Sequence, residues 1–188
     1  MAIRYSPNNT KDISSKDILL NYDNIFSLNR IGSNEFVEGG RSIALGLEYA
    51  KIDLLDNTIF GFKIASSISD KKNDNLPTKS KLNKTRSDFV GNLSYSPNNI
   101  LNFDYNFSYD SNFDGSNYDS ISTSIDLNNF FTKFNFHSLD GELGDSEVIS
   151  NTTKYNFNSE KSLIFNTTKN LKNDFTEYYN LIYSYETD

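Results

Sequence analysis

The stretch ILNFDYNFSY, Ile100–Tyr109, sets Leu101, Phe103, Tyr105, Phe107 and Tyr109 in strict alternation with Asn102, Asp104, Asn106 and Ser108. A strand points successive side chains to opposite faces, so this stretch has one aromatic face and one polar face. A soluble sandwich would also accept such a strand. The flanking segments repeat the pattern, however, and strands of about 9–11 residues alternating in this way suit a transmembrane barrel, apolar towards lipid and polar towards the lumen.

Upstream, Phe36–Ile52 places Ile43, Leu45, Leu47 and Tyr49 opposite Ala44, Gly46, Glu48 and Ala50, and Gly39-Gly40 suits a bulge at its start. Thr58–Ile68 sets Phe60, Phe62 and Ile64 against Gly61, Lys63 and Ala65, and Arg86–Ser96 sets Phe89, Leu93 and Tyr95 against Asp88, Asn92 and Ser94. Downstream, strands are expected over 118–127, 130–139, 147–157, 162–168 and 175–187. Connections near 53–57, 97–99, 128–129 and 158–161 are short, and those near 69–85, 110–117, 140–146 and 169–174 are longer. Outer-membrane barrels pair short periplasmic turns with longer external loops. The fold class is therefore all-β, an antiparallel up-and-down meander of about nine strands. An odd count without a closing partner leads us to expect part of a large outer-membrane β-barrel, open as a fragment. Residues 1–35 read as an irregular rim segment with apolar islands at Ile18-Leu19-Leu20 and Ile25-Phe26, and 36–188 as the partial barrel.

Composition agrees with this division of faces. Only 36% of the 188 residues are hydrophobic, yet 14% are aromatic, all Phe and Tyr. A disordered chain would be poor in aromatics, whereas a polar lumen with an aromatic outer belt accounts for both figures. A net charge of −7 argues against nucleic acid as a partner. With no cysteine and a single histidine, His137, thiol chemistry and Cys- or His-rich metal sites are excluded. No apolar run is long enough for a spanning helix. The opening MAIRYSPNNTKD lacks an apolar signal core, so for an outer-membrane protein we expect the segment to come from within a longer chain.

Three stretches carry a family resemblance. Asp23–Arg41, DNIFSLNRIGSNEFVEGGR, resembles the LNR…EGG-x-R segment of the LptD family, lipopolysaccharide-assembly proteins of the outer membrane, and ALGLEY (Ala44–Tyr49) matches the strand that follows it. Leu76–Gly91, LPTKSKLNKTRSDFVG, resembles that family's LP…SGL…SD-x-VG segment, with Lys81 standing where the pattern has Gly. Tyr178–Asp188, YYNLIYSYETD, resembles the strand before the family's cysteine pair. The motif residues are Asn29, Arg30, Glu38, Gly39, Gly40, Arg41, Leu76, Pro77, Ser87, Asp88 and Gly91.

The resemblance implies transport rather than catalysis: barrel wall from a protein that places lipopolysaccharide in the outer leaflet of a Gram-negative outer membrane. It implies lipopolysaccharide and membrane lipid as partners, an LptE-type lipoprotein plug in the complete barrel, and a periplasmic transport bridge reached through a domain outside this segment. No cofactor is expected. The residues alone also admit another outer-membrane porin or channel, or a secreted β-protein that binds glycans through Tyr and Asn.

No Gly-x-Ser-x-Gly, P-loop or dinucleotide fingerprint occurs, so no enzyme is expected. Asp104, Asp110, Asp119 and Asp126 could in principle pair for hydrolysis or bind cations, but solvated positions in an acidic chain explain them, as a polar strand position explains His137. The run Lys71, Lys72, Lys79, Lys81, Lys84 and Arg86 could meet lipopolysaccharide phosphates from an external loop, or be a solvated charge run. Arg30, Glu35, Glu38 and Arg41 could form an ion-pair cluster at the rim.

Overall fold

The computed structural model describes residues 1–31 and 37–186. Ten strands among these residues form one antiparallel sheet in sequence order: β1 (Ala2–Ser6), β2 (Gly40–Ile52), β3 (Thr58–Ser69), β4 (Phe89–Tyr95), β5 (Leu101–Tyr109), β6 (Ser116–Leu127), β7 (Phe130–Gly141), β8 (Gly144–Asn156), β9 (Lys161–Asn170) and β10 (Phe175–Tyr185). Each pairs only with its chain neighbours, and β1 and β10 do not close on one another. The nine expected strands are β2–β10. The tenth, β1, lies in the stretch read as irregular.

Register confirms the two faces. One row runs Tyr49, Phe62, Leu93, Tyr105, Ile121, Phe136 and Ile149 across seven strands, and the adjacent polar row runs Glu48, Lys63, Asn92 and Asn106. Directly opposed residues share a face, so the aromatic side chains form one continuous surface. Where that surface meets a glycine, a ring fills the gap. The Phe107 ring would lie 2.4 Å from a Cβ on Gly91, and the Lys63 carbonyl oxygen 2.3 Å from it.

The two ends of the sheet differ. At the turn end, Asp53 Oδ1 accepts from Leu55 N and Asn57 N, Asn98 Oδ1 from Ile100 N and Leu101 N, and Asn158 Oδ1 from Glu160 N and Lys161 N. Such local bonds make short turns self-sufficient. The opposite end, the loop end, carries the long connections 7–39 and 70–88. The loop expected over 140–146 is absent: β7 and β8 run on to Gly141 and Gly144 and reverse on Glu142 and Leu143. Gly144 allows this with a φ of 129°, a conformation that glycine adopts without a Cβ clash.

The core lies on the polar face, beneath the long connections. Ile13, Leu20 and Ile25 from the first and Leu76 and Leu82 from the second cluster with Ala44, Ala65 and Val90 of the sheet. Small residues on β2 and β3 let the covering segment approach: Phe26 packs onto Gly46, where a Cβ would stand 2.6 Å from its ring. Tyr22 meets Phe26 edge-on at 5.3 Å and receives the Lys63 ammonium at 5.6 Å.

Candidate functional site

The motif residues quoted above converge at the loop end. Glu38, almost fully buried, takes Arg4 Nη2 on Oε1 at 2.6 Å and Arg30 Nε on Oε2 at 3.0 Å, and Arg30 Nη2 also reaches Oε1. Arg4 Nη1 donates to the Glu38 carbonyl at 2.7 Å. One carboxylate thus holds two guanidiniums, tying strand β1 and the turn at Asn29–Ile31 to the entry of β2. The expected cluster is realised through Arg30 and Glu38. Glu35 lies outside the described residues, and Arg41 turns to the other face, its guanidinium 5.4 Å above the Tyr5 ring. Arg4 escaped the sequence reading. Its signal was a charge between Ile3 and Tyr5, at a polar position of an alternating pattern.

Gly39 and Gly40 follow from the same crossing. Asn8 O would lie 1.9 Å from a Cβ on Gly39, while Gly39 N donates to Thr10 Oγ1, and Gly40 has a φ of 99°. Leu76 and Pro77 are buried beneath the second connection. Ser87 Oγ accepts from Ser67 N and Ser87 N donates to Ser67 O, each at 2.9 Å, continuing the β3–β4 pairing beyond β4.

Asp88 is fully buried. Oδ2 accepts from Asn117 Nδ2 at 2.6 Å and Ser108 Oγ at 3.2 Å, and Oδ1 has no partner among the described residues. Burial pushes its carboxyl up to about 6, against the opposing pull of those two bonds.

The six basic residues separate. Lys79 Nζ pairs with Asp140, and the Lys79 ammonium is held above its usual range chiefly by that bond. Lys81 Nζ pairs with Asp110 Oδ2 at 3.2 Å, and Asp110 is held low first by the Asn112 backbone N–H and then by Lys81. Arg86 lies over the Phe89 ring at 4.9 Å, on the aromatic face. Lys71, Lys72 and Lys84 stay exposed, Lys71 and Lys72 at a cavity of about 400 Å³ that also reaches Arg41. Lys81 has a φ of 54°, a left-handed conformation at the position where the family pattern has glycine.

A clasp that the sequence did not reveal closes the loop end. Glu142 Oε1 accepts from Thr78 N at 2.5 Å, Thr78 Oγ1 at 2.7 Å and Lys79 N at 2.6 Å, while the Asp17 carboxylate accepts from Glu142 N. His137 sits on the polar face, edge-on to Tyr118 at 5.3 Å. Of the four aspartates considered, Asp104 binds Asn92 and Asn106, Asp119 accepts from Tyr105 Oη, and Asp110 pairs with Lys81. Among the described residues no group of three His, Cys, Asp or Glu side chains is placed to hold a metal ion. The arrangement joins, covers and presents charge.

A family model described as LptD: LPS transport system D matches residues 3–137, which takes in both long connections and most of the sheet. No curated protein matches the sequence.

Proposed function

The chain belongs to the LptD family, and from that premise we propose that it is wall of an outer-membrane barrel that delivers lipopolysaccharide to the outer leaflet. The observation that carries this reading is the continuous aromatic surface on one face, backed by a polar face that the described residues cover across β1–β5 and at the loop end of β6 and β7. In lipid every backbone polar group needs a partner, which a hairpin meander supplies across its width. The outward Phe and Tyr meet acyl chains. The inward Asn, Ser and Lys keep a hydrated lumen that tolerates a sugar-bearing substrate.

On this reading the loop end faces outside, and Lys71, Lys72 and Lys84 offer charge to lipopolysaccharide phosphates there. After β1, which joins the wall, residues 7–31 act as a rim segment folded over the lumen side of the partial barrel. The polar face of β6–β10 away from the Glu142 clasp is left for an LptE-type plug in the complete barrel, and substrate arrives from a periplasmic bridge. The direct test is depletion of the intact protein in its own cell, with newly made lipopolysaccharide followed at the surface. Surface delivery is expected to fall several-fold, and unchanged delivery would overturn the reading. Single cysteines check orientation: Lys71→Cys should react with an impermeant reagent on intact cells, and Asn98→Cys should not.

A further inference from the structure

The aromatic face carries a second feature at the loop end of β1–β4. Ile3, Ile43 and Ile68 lie side by side in register, and Arg86 bridges to Ile68. One residue pair towards the rim, Tyr5 stands opposite Arg41. Ile3, Tyr5, Arg41, Ile43 and Ile68 border an open groove of about 510 Å³ whose wall is mostly apolar, and Arg86 lies beside it, next to Ile68 in register. Arg41 therefore stands at the rim end of an aliphatic floor, and Arg86 beside its Ile68 edge.

Both guanidiniums rest on rings, Arg41 at 5.4 Å from the Tyr5 centroid and Arg86 at 4.9 Å from that of Phe89. Stacking fixes the plane of an arginine and leaves its edge N–H groups free for a bidentate oxyanion. Among the described residues neither forms an ion pair with a carboxylate. The one acid lining the groove, Asp70, points towards Gly40, its Oδ1 3.9 Å from where a Cβ would stand. From strand spacing and rise the two arginine positions are about 12 Å apart. Backbone positions so far apart, with the guanidiniums leaning to Tyr5 and to Phe89, set the two arginines to meet separate phosphates rather than one anion.

We propose that this groove is a docking site for the phosphorylated, acylated part of lipopolysaccharide, with Arg41 and Arg86 binding phosphates and the Ile3–Ile43–Ile68 floor binding acyl chain. The inference rests on the proposed function, because it needs the aromatic face to meet lipid and the loop end to lie at the outer leaflet. Ordinary exposed cations attract any anionic lipid. This pair adds two guanidiniums held on rings and an adjoining apolar floor.

The test uses the intact protein in lipid nanodiscs, with bis-phosphorylated lipid A, its dephosphorylated form, phosphatidylglycerol and phosphatidylcholine as probes, and native mass spectrometry to read retained lipid. Lipid A should be held at least tenfold more tightly than phosphatidylglycerol. The double variant R41Q/R86Q should lose that preference about tenfold, while K51Q/K161Q, with the same charge change on the same face at the turn end, should stay within twofold. Equal weakening by both variants would reduce the effect to general charge attraction and overturn the proposal. Equal retention of phosphatidylglycerol would make the groove an ordinary lipid contact, and a doubled mass would assign the face to a second copy. A bimane label on Ile68→Cys, which leaves both arginines in place, should be quenched by lipid A brominated in its acyl chains; no quenching would also overturn it. Surface delivery in cells separates the two claims: intact delivery without selective retention sinks only the groove, and delivery that never needed the protein sinks the function.

Discussion

The covered and the bare parts of the sheet are held together differently. Across β1–β5 the polar face packs against 7–31 and 70–88, and nearly every buried side chain among the described residues lies there. Across β6–β10 most of the same face is an open ladder rich in Ser, Asn, Thr and Lys, reached by the cover at the loop end of β6 and β7. Among the described residues Thr132, on the opposite face, is the only buried side chain beyond Asp110. Backbone pairing is as regular in one part as in the other. The difference teaches that a barrel wall needs no core of its own: pairing sets its shape, and burial is concentrated where a loop must be fixed.

Breaking the Arg4–Glu38–Arg30 triad should have the largest effect. Glu38→Gln leaves two buried guanidiniums without a counter-charge, a loss of about 3–5 kcal/mol, read from the denaturant midpoint of the intact protein in lipid. A loss below 1 kcal/mol would mean that the cover is not fixed by this carboxylate, and the contrast would fail.

Asp88 sharpens the contrast through pH. Its folded-state value, about 6, lies above the ordinary 3.8. The stability that it contributes is therefore complete below pH 3.8 and is lost as pH rises through 6. The change is on the order of 2–3 kcal/mol. Other loop carboxylates shift in the opposite direction, so the quantity to measure is wild type minus Asp88→Asn at pH 4.5 and 7.5. A difference that does not change with pH would place Asp88 in water.

Two smaller changes separate the halves. Lys81→Gly should stabilise the cover by about 1 kcal/mol by relieving the left-handed backbone, less what the pair with the buried Asp110 contributes. In the bare half, Thr132 Oγ1 meets Thr153 Oγ1 at 2.9 Å and Asn151 Nδ2 at 3.1 Å on the aromatic face. Thr132→Val should cost about 0.5–1 kcal/mol. A loss there approaching that of Glu38→Gln would show that the bare half has a critical centre after all.

The strands were legible because pairing between chain neighbours needs only a period of two and a turn. Leu101 to Tyr109 and Leu45 to Tyr49 declare their faces unaided, and β2–β10 fall where the alternation placed them. The cover was not legible. Ile13, Leu20 and Ile25 follow neither strand nor helix spacing, so their sequence shows apolar islands without saying what they bury against. The charge run was visible as charge, but its neutralisation was not, since Lys79 finds Asp140 at a separation of 61 residues. Glu38 and Arg30 stood out through the family pattern, whereas Arg4 lay 34 residues from Glu38 with nothing local to mark it. The expected loop at 140–146 failed because a Gly/Asp-rich stretch fits a tight reversal as well as a long one.

The unlike ends of the sheet also set an order of assembly. At the turn end, Asp53, Asn98 and Asn158 bind backbone two to four residues away, so closing each hairpin there costs little chain entropy. At the loop end, Asp17 accepts from Glu142 across 125 residues and Asn75 Nδ2 reaches Thr10 O across 65. Contacts so distant in sequence gain nothing until the strands between them are aligned. The sheet is thus arranged to zip from its turn end, hairpin by hairpin, and the cover over the polar face is the last part to latch.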